Sequence, residues 1–149
     1  MILLQVDGIP VPWAAHQGFG RRAFNPRMKE RMQAQWQIKA QYNQKQPLCG
    51  PLWAEFIFHI PIPKATSKAK RIQMLAGMIF PYTRPDRTNY LKFIEDCLNG
   101  IVISDDAQIV AGPVTKIYSE TPKTIIKLMP MNQYTLGSFP QPPKEDVCR

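Results

Sequence analysis

Cysteine and histidine are scarce in this sequence, and their spacing forms no binding pattern. The three cysteines, Cys49, Cys97 and Cys148, are an odd set without a CxxC pair. The two histidines, His16 and His59, lie far apart, and neither has nearby residues that would complete a ligand set. We therefore expect neither a disulfide framework nor a structural zinc site.

Long apolar segments are absent as well. No run of about 18 apolar residues occurs, so a transmembrane helix is not expected. Residues 1–17 contain a short apolar run with no basic region before it, which does not indicate a secretory signal. The sequence thus predicts a cytoplasmic protein without a membrane partner.

Acidic residues are in the minority, yet they are unevenly distributed. Eleven Asp and Glu stand against nineteen Lys and Arg, which gives a net charge of +8. A basic balance of this size favours a polyanionic partner, most often a nucleic acid. Five of the eleven acids nevertheless gather within residues 84–106; they are Asp86, Glu95, Asp96, Asp105 and Asp106.

The order of apolar segments in the 149 residues predicts an α/β fold with a mixed β-sheet and two main helices. We expect a single domain at residues 1–129, with the element order β-α-β-(basic loop)-α-β-β. Strands are expected at 2–6, 52–60 and 101–104, helices from 25 and at 86–100, and a final hairpin of two strands around 120–122. Residues 130–149 form a Pro-rich polar tail that we expect to be loosely ordered.

The first predicted helix has a clear start signal and a moderate apolar stripe. Asn25 is a good N-cap, and Pro26 suits the first helical position. Met28, Met32 and Trp36 recur along one side of the helix. We expect that side to face the core.

Basic residues outside the acidic stretch are candidates for contacts with phosphates. Those in the segment 61–77 lie among small polar residues with no acid between them. Ordinary solvated charge is the alternative interpretation for each. The candidates are Lys64, Lys68, Lys70, Arg71, Arg84, Arg87, Arg21 and Arg22.

The helix at 86–100 presents a polar face opposite its apolar stripe. Asn89, Lys92 and Asp96 are spaced three and four residues apart, so they share one side of the helix. Lys92 and Asp96 could form an ordinary i,i+4 ion pair, which contributes only a few tenths of a kcal/mol. Both a functional and a purely structural interpretation of this face stay open.

The remaining aspartates could approach this helix from its two ends. Asp86 lies at its start, and Asp105 and Asp106 follow on a segment that can run back beside it. Carboxylates held close together repel one another unless a cation lies between them, and such oxygen ligands suit Mg²⁺ or Mn²⁺. The alternative is a helix-capping aspartate and an Asp-Asp turn.

Within these residues, "RPDRTNYLKFIEDCLNGIVISDDAQIV", residues 84–110, resembles the signature of RusA-type Holliday junction resolvases. Upstream, "PIPKATSKAKR" is similar to the basic segment that precedes the motif in many phage-encoded members. The opening "VDGIPVPWAAHQ" looks like the first strand and Pro-containing loop of that family. The resemblance covers roughly residues 1–128.

This resemblance implies a homodimeric, Mg²⁺-dependent endonuclease that nicks four-way DNA junctions symmetrically during recombination and repair. Asp86 and Asp106 match the catalytic aspartates, with Asp105 beside the second, and Lys92 matches the helix lysine. Asn89 and Asp96 match neighbouring motif positions. The resemblance thus implies a metal set drawn from Asp86, Asp96, Asp105 and Asp106.

Thr88 is a departure from the best-known family pattern, which has a second aspartate at this position. Asp96 or Asp105 could complete the site, the metal could bind more weakly, or the chain could bind junctions with little activity. Two other functions also remain open: a non-catalytic nucleic-acid-binding module, and a metal-dependent nuclease that acts on other substrates such as flaps or RNA.

Overall fold

A mixed β-sheet with helices packed against it forms the part of the chain that the computed structural model describes, which is residues 1–18, 20 and 24–131. This architecture confirms the predicted α/β class. The strands and helices are β1 (Ile2–Asp7), α1 (Met28–Gln41), β2 (Leu52–Pro61), α2 (Lys68–Leu75), α3 (Arg87–Leu98), β3 (Ile109–Ala111), β4 (Val114–Ser119) and β5 (Lys123–Pro130). A 3-10 turn at Asp106–Gln108 precedes β3.

β2 is the central strand of the sheet. β5 pairs antiparallel with both β1 and β2, whereas β3 and β4 run parallel to β2 along its other side. The predicted hairpin of the last two strands is therefore wrong, because β4 and β5 lie on opposite sides of β2. The reason lies in β2, which alternates buried and half-buried residues along its length. Strands paired with both edges of β2 complete the core more fully than a local hairpin of β4 and β5 would.

The core lies between one face of this sheet and the two longer helices, α1 and α3. β2 contributes alternate residues, and α3 contributes a wide apolar stripe, as its sequence pattern predicted. The buried side chains of these two elements are Leu52, Ala54, Phe56, Phe58, Tyr90, Phe93, Ile94, Cys97 and Leu98. Burial of this stripe fixes the side of α3 that remains free for chemistry.

The predicted buried stripe of α1 is wrong. Met28, Met32 and Trp36 are exposed, Trp36 by 74%, and Ala34 and Ile38 are the buried residues instead. The small Ala34 side chain permits close approach of the helix to the core. The helix also begins two residues later than expected, because the Asn25 side chain accepts a hydrogen bond from the Arg27 N–H (2.8 Å) in a turn before Met28.

Two further predicted segments differ from the structure. Half of the expected basic loop is the helix α2, whose N-cap Ser67 accepts a hydrogen bond from the Lys70 N–H (3.4 Å). The apolar periodicity of α2 is weak in the sequence, because this short helix buries a single residue, Met74. The expected strand at 101–104 is a turn with isolated bridges at Ile103, and its apolar residues are buried by the turn rather than by a strand ladder.

The outer edge of β1 is closed by glutamine side chains from α1. Gln41 pairs with Gln5 through both backbone groups, at 2.9 Å for the N–H and 2.6 Å for the carbonyl. Gln37 does the same for Asp7, at 2.8 Å and 3.3 Å. An edge strand with free backbone groups invites pairing with another chain, and these side chains occupy those groups.

No helix among the described residues is long and apolar enough to cross a membrane. Two of the sequence predictions fall wholly or partly outside the described residues. They are the phosphate contacts of Arg21 and Arg22, and the expected tail from residue 132 onward.

Candidate active site

Asp86 is the residue immediately before α3, and its carboxylate has no hydrogen-bond or ion-pair partner among the described residues. It occupies the N-cap position, yet its side chain accepts no hydrogen bond from the helix N–H groups. Its backbone carbonyl instead accepts from the N–H of Asn89 at 3.1 Å. The helix-capping explanation for this aspartate is therefore not supported, and the exposed carboxylate is available to a ligand.

The loop before Asp86 is held against β4 by a lysine that sequence patterns did not single out. The Lys116 ammonium donates to the carbonyls of Thr83 (3.0 Å) and Pro85 (3.1 Å). On the other side of Asp86, the Arg87 guanidinium donates to the Val114 carbonyl (3.5 Å). Both contacts fix the start of α3 relative to β4. In the sequence, only the alternation of side chains along β4 could have indicated that Lys116 has this role.

Lys92 lies on the exposed side of α3 with its ammonium over the ring of Trp13, 3.7 Å from the ring centroid. The backbone N–H of Trp13 donates to the backbone carbonyl of Asn89 (2.8 Å), which places the ring beside the helix. A cation over an indole face is stabilised without losing its charge. Lys92 and Asp96 form no ion pair, so the ordinary i,i+4 explanation of this face fails.

The Asp-Asp element divides its two carboxylates between different tasks. Asp105 accepts a hydrogen bond from the Ala107 N–H (2.8 Å), and the Gln108 side chain completes a capping box. Gln108 also donates to the carbonyls of Leu48 (2.9 Å) and Gly50 (3.0 Å), which anchors the turn. Asp106 is exposed, and its carboxylate makes no hydrogen bond or ion pair with the described residues, so the turn presents that carboxylate to solvent.

Glu95 joins Asp106 and Asp96 in one electrostatic group, although the sequence pattern gave it no role. It is half-buried and lines a cavity of about 200 Å³ with Leu91, Ile109 and other apolar residues. Burial raises the pKa of Glu95 to about 7, and the nearby carboxylates of Asp106 and Asp96 add to the increase. Glu95 lies seven residues after Thr88, so the two residues differ by only roughly 20° around the helix axis. This spacing was the signal in the sequence that could have indicated a role for Glu95.

The structure brings some of the predicted metal ligands together and not others. Asp86 and Glu95 lie nine residues apart on α3, or about 13 Å along its axis. Within residues 1–18, 20 and 24–131, no three His, Cys, Asp or Glu side chains are arranged to hold a metal. The carboxylate oxygens at Asp106 and Glu95 are nevertheless the donors that suit Mg²⁺ or Mn²⁺, so the chemistry of the site fits such a cation.

The acids within residues 84–106 differ from the described glutamates elsewhere in the chain, because they lack ion-pair partners among the described residues. Elsewhere, Glu30, Glu55 and Glu120 each form an ion pair, with Arg27 (3.1 Å), Lys127 (2.6 Å) and Arg71 (2.9 Å). None of the five acids within residues 84–106 pairs with a described cation. Repulsion within this group is thus left to be relieved by protons or by a bound cation.

The predicted phosphate contacts lie on two neighbouring parts of the surface. Lys64, Lys68 and Lys70 are exposed on α2 and the loop before it. Arg84, Arg87 and Thr88 are exposed around Asp86. Arg71 is already engaged with Glu120, so it is the weakest of these candidates.

Comparison with known proteins assigns the chain to a family. "Uncharacterized protein YqaN" of Bacillus subtilis (strain 168) is 32% identical over 93 residues, which are 61% of this chain and 66% of that protein. The alignment thus spans slightly less than two thirds of that relative. Residues 13–129 match the model of the family "Endodeoxyribonuclease RusA", and this span contains all of the described candidate residues. The predicted resemblance is confirmed: the chain belongs to the endodeoxyribonuclease RusA family, a family of nucleases.

Proposed function

We propose that this protein is a metal-dependent, structure-specific DNA endonuclease that resolves Holliday junctions by paired symmetric nicks. It acts as a homodimer in the cytoplasm, in DNA recombination and repair. Family membership supports the reaction class. The observation that carries the proposal is that all five acids of residues 84–106 lack an ion-pair partner among the described residues, in a chain of net charge +8.

The residues that would hold Mg²⁺, or Mn²⁺, are carboxylates from α3 and the turn that follows it. They are Asp86, Asp96, Asp105 and Asp106, to which we add Glu95. When bound, such a cation activates water and stabilises negative charge on the phosphate. Asp105 has one oxygen committed to the Ala107 N–H, so its main contribution is to hold the turn that presents Asp106.

The other residues of the site bind and position the DNA. Lys92, whose ammonium lies over the Trp13 ring, offsets negative charge that develops at the scissile phosphate. Arg84 and Arg87 contact phosphates next to Asp86, and the lysines of the α2 region extend the basic surface. Such contacts give affinity and orientation without reading base sequence.

Glu95 offers an explanation for the threonine at position 88. The missing aspartate would have supplied a negative charge on the exposed side of α3. Glu95 lies on that side two turns later and next to Asp106. We propose that it supplies the compensating carboxylate, together with Asp96.

A junction-binding module with little or no catalysis is the second candidate function. It is favoured by the lack of an assembled group of three metal ligands among the described residues. A pure binder, however, would gain nothing from unpaired carboxylates near phosphates, because they repel the ligand unless a cation intervenes. Cleavage of other branched substrates, such as flaps, is a variant of the first proposal.

The test is cleavage of a synthetic four-way junction in Mg²⁺ by the wild type, Asp86→Asn and Asp106→Asn. We expect paired symmetric nicks by the wild type, and variants that bind the junction with unchanged affinity but do not cut it. Asp7→Asn is the matched control, since Asp7 is an exposed aspartate on β1, and it should cut normally. Binding without cleavage by the wild type in both Mg²⁺ and Mn²⁺ would establish the binding module instead.

A further inference from the structure

A groove lies beside the candidate active site, between α2 and residues 79–83. Its volume is about 530 Å³, within the roughly 300–1,000 Å³ typical of clefts that take small ligands. Tyr82 and Tyr118 supply aromatic surface, and Thr66, Ser67 and Lys70 supply polar groups. We call this feature the α2 groove.

Both walls of the α2 groove are fixed to the same strand region. The Arg71–Glu120 ion pair (2.9 Å) ties α2 to the turn after β4. The Lys116 ammonium ties the opposite wall through the carbonyls of Thr83 (3.0 Å) and Pro85 (3.1 Å). The groove is therefore held open by specific contacts and does not depend on a loop that must first close.

An aromatic side chain is exposed at its rim. Tyr82, which lines the groove, is 90% exposed, so its ring is not needed to fill the core. Exposed rings among cations are typical of proteins that bind unpaired nucleic-acid strands, because every base can stack on an aromatic face. The rim is thus suited to a planar, uncharged ring attached to an anion.

The charges around the α2 groove match that ligand. Lys64, Lys68 and Lys70 are exposed nearby, and no acidic residue lines the groove in the described part of the chain. Lys68 and Lys70 also stand in the first turn of α2, which contains no acid. Cations there are unfavourable against the positive end of a helix, and a bound phosphate would offset them.

We propose that the α2 groove binds an unpaired nucleotide of a DNA strand, with its base stacked on Tyr82 and its phosphate next to Lys70. This inference rests on the proposed function in taking DNA as the substrate. Tyr82 precedes Asp86 by four residues on a segment fixed by Lys116. A nucleotide captured in the groove would therefore lie next to the candidate active site, as expected where strands separate at a branch.

The test measures binding of a short oligothymidylate to the full chain in EDTA, by fluorescence anisotropy, so that cleavage plays no part. Tyr82→Ala should weaken binding about 5- to 100-fold, and Tyr82→Phe, which keeps the ring, should bind nearly as the wild type does. Lys70→Gln should lower the slope of log K against log salt by about 0.7. Trp36→Ala is the matched control, because it removes another exposed ring, on α1, and it should have no effect.

The outcomes separate this inference from the proposed function. If Tyr82→Ala binds oligothymidylate as well as the wild type, or if it loses duplex affinity to the same extent, the α2 groove does not bind an unpaired nucleotide. If the wild type cuts junctions and Tyr82→Ala retains full single-strand affinity, the inference fails while the proposed function stands. If binding depends on Tyr82 but no junction is cut, the inference stands alone.

Discussion

The two edges of the sheet treat their polar groups in opposite ways. At the β1 edge, Gln37 and Gln41 pair with backbone N–H and carbonyl groups of the strand, so the outward groups of Gln5 and Asp7 are satisfied. Beside the β3–β4 edge lie α3 and the turn at Asp106, whose carboxylates have no ion-pair partners among the described residues. Paired polar groups mark an edge that only has to be inert, and unpaired carboxylates mark the edge where a ligand is expected.

Gly112 offers the most severe way to break the β3–β4 edge. A Cβ at this position would lie 1.7 Å from the Ala54 carbonyl oxygen, and the backbone has a φ of +136°. Gly112→Ala should therefore force β3 and β4 away from β2 and lower the free energy of unfolding by about 4 kcal/mol or more. Urea unfolding measures the change.

Gly100→Ala is the matched control for that substitution. Its φ is +75°, but a Cβ there would have open space around it. It should cost only about 1–2 kcal/mol, the strain of a left-handed conformation in a residue with a side chain. Equal losses at the two positions would show that backbone conformation, and not the close approach of the strands, determines the effect.

The β1 edge should be opened by removing both of its glutamines. Gln37→Ala combined with Gln41→Ala deletes the four edge hydrogen bonds and should lower the free energy of unfolding by about 2–4 kcal/mol. The freed strand should also pair with other molecules, which static light scattering would detect as concentration-dependent association. Gln35→Ala, on the same helix, should change neither quantity; a double variant that stays monodisperse would contradict the role of these side chains in protecting the edge.

Glu95 gives the smallest expected effect and one that depends on pH. In the unfolded chain the pKa of this carboxyl has its ordinary value of 4.5, whereas in the folded protein burial and neighbouring carboxylates raise the pKa to about 7. Between these values the folded state retains a proton that the unfolded state has lost, so the free energy of unfolding falls as pH rises through this window. The penalty is complete above pH 7.

Glu95→Gln removes this penalty. In the metal-free protein, the gain in free energy of unfolding of the variant over the wild type should be larger at pH 8 than at pH 4. After allowance for solvent screening of a half-exposed group, we expect about 1 kcal/mol. Urea unfolding in EDTA at the two pH values measures it. A Glu95→Gln variant with the same pH dependence as the wild type would argue against repulsion at this site.

The sequence was most informative where structure depends on local pattern. The strand β2, the helix α3 with its buried stripe, and the position of Asp86 at the start of α3 all follow from periodicity and capping signals. The resemblance over residues 84–110 then identified the family. These features depend on neighbouring residues, which a single sequence displays directly.

Features that depend on distant partners were missed. The placement of β2 between β4 and β5 cannot be read from a three-residue turn, and α2 has too few buried residues to show a period. The pKa of Glu95 is raised first by burial and further by Asp106, which lies eleven residues later and across a turn. Sequence patterns did not single out Lys116, because its acceptors, the carbonyls of Thr83 and Pro85, lie more than thirty residues earlier.

The glutamine closure of β1 also bears on the order of events during synthesis. The ladder partner of β1 is β5, which is translated more than one hundred residues later, so at about 5–20 residues per second β1 waits roughly 6–25 s for it. Gln37 and Gln41 emerge within the first third of that interval. The nascent chain can therefore cover the outer edge of its first strand with its first helix, so that only the edge that pairs with β5 stays open until β5 is made.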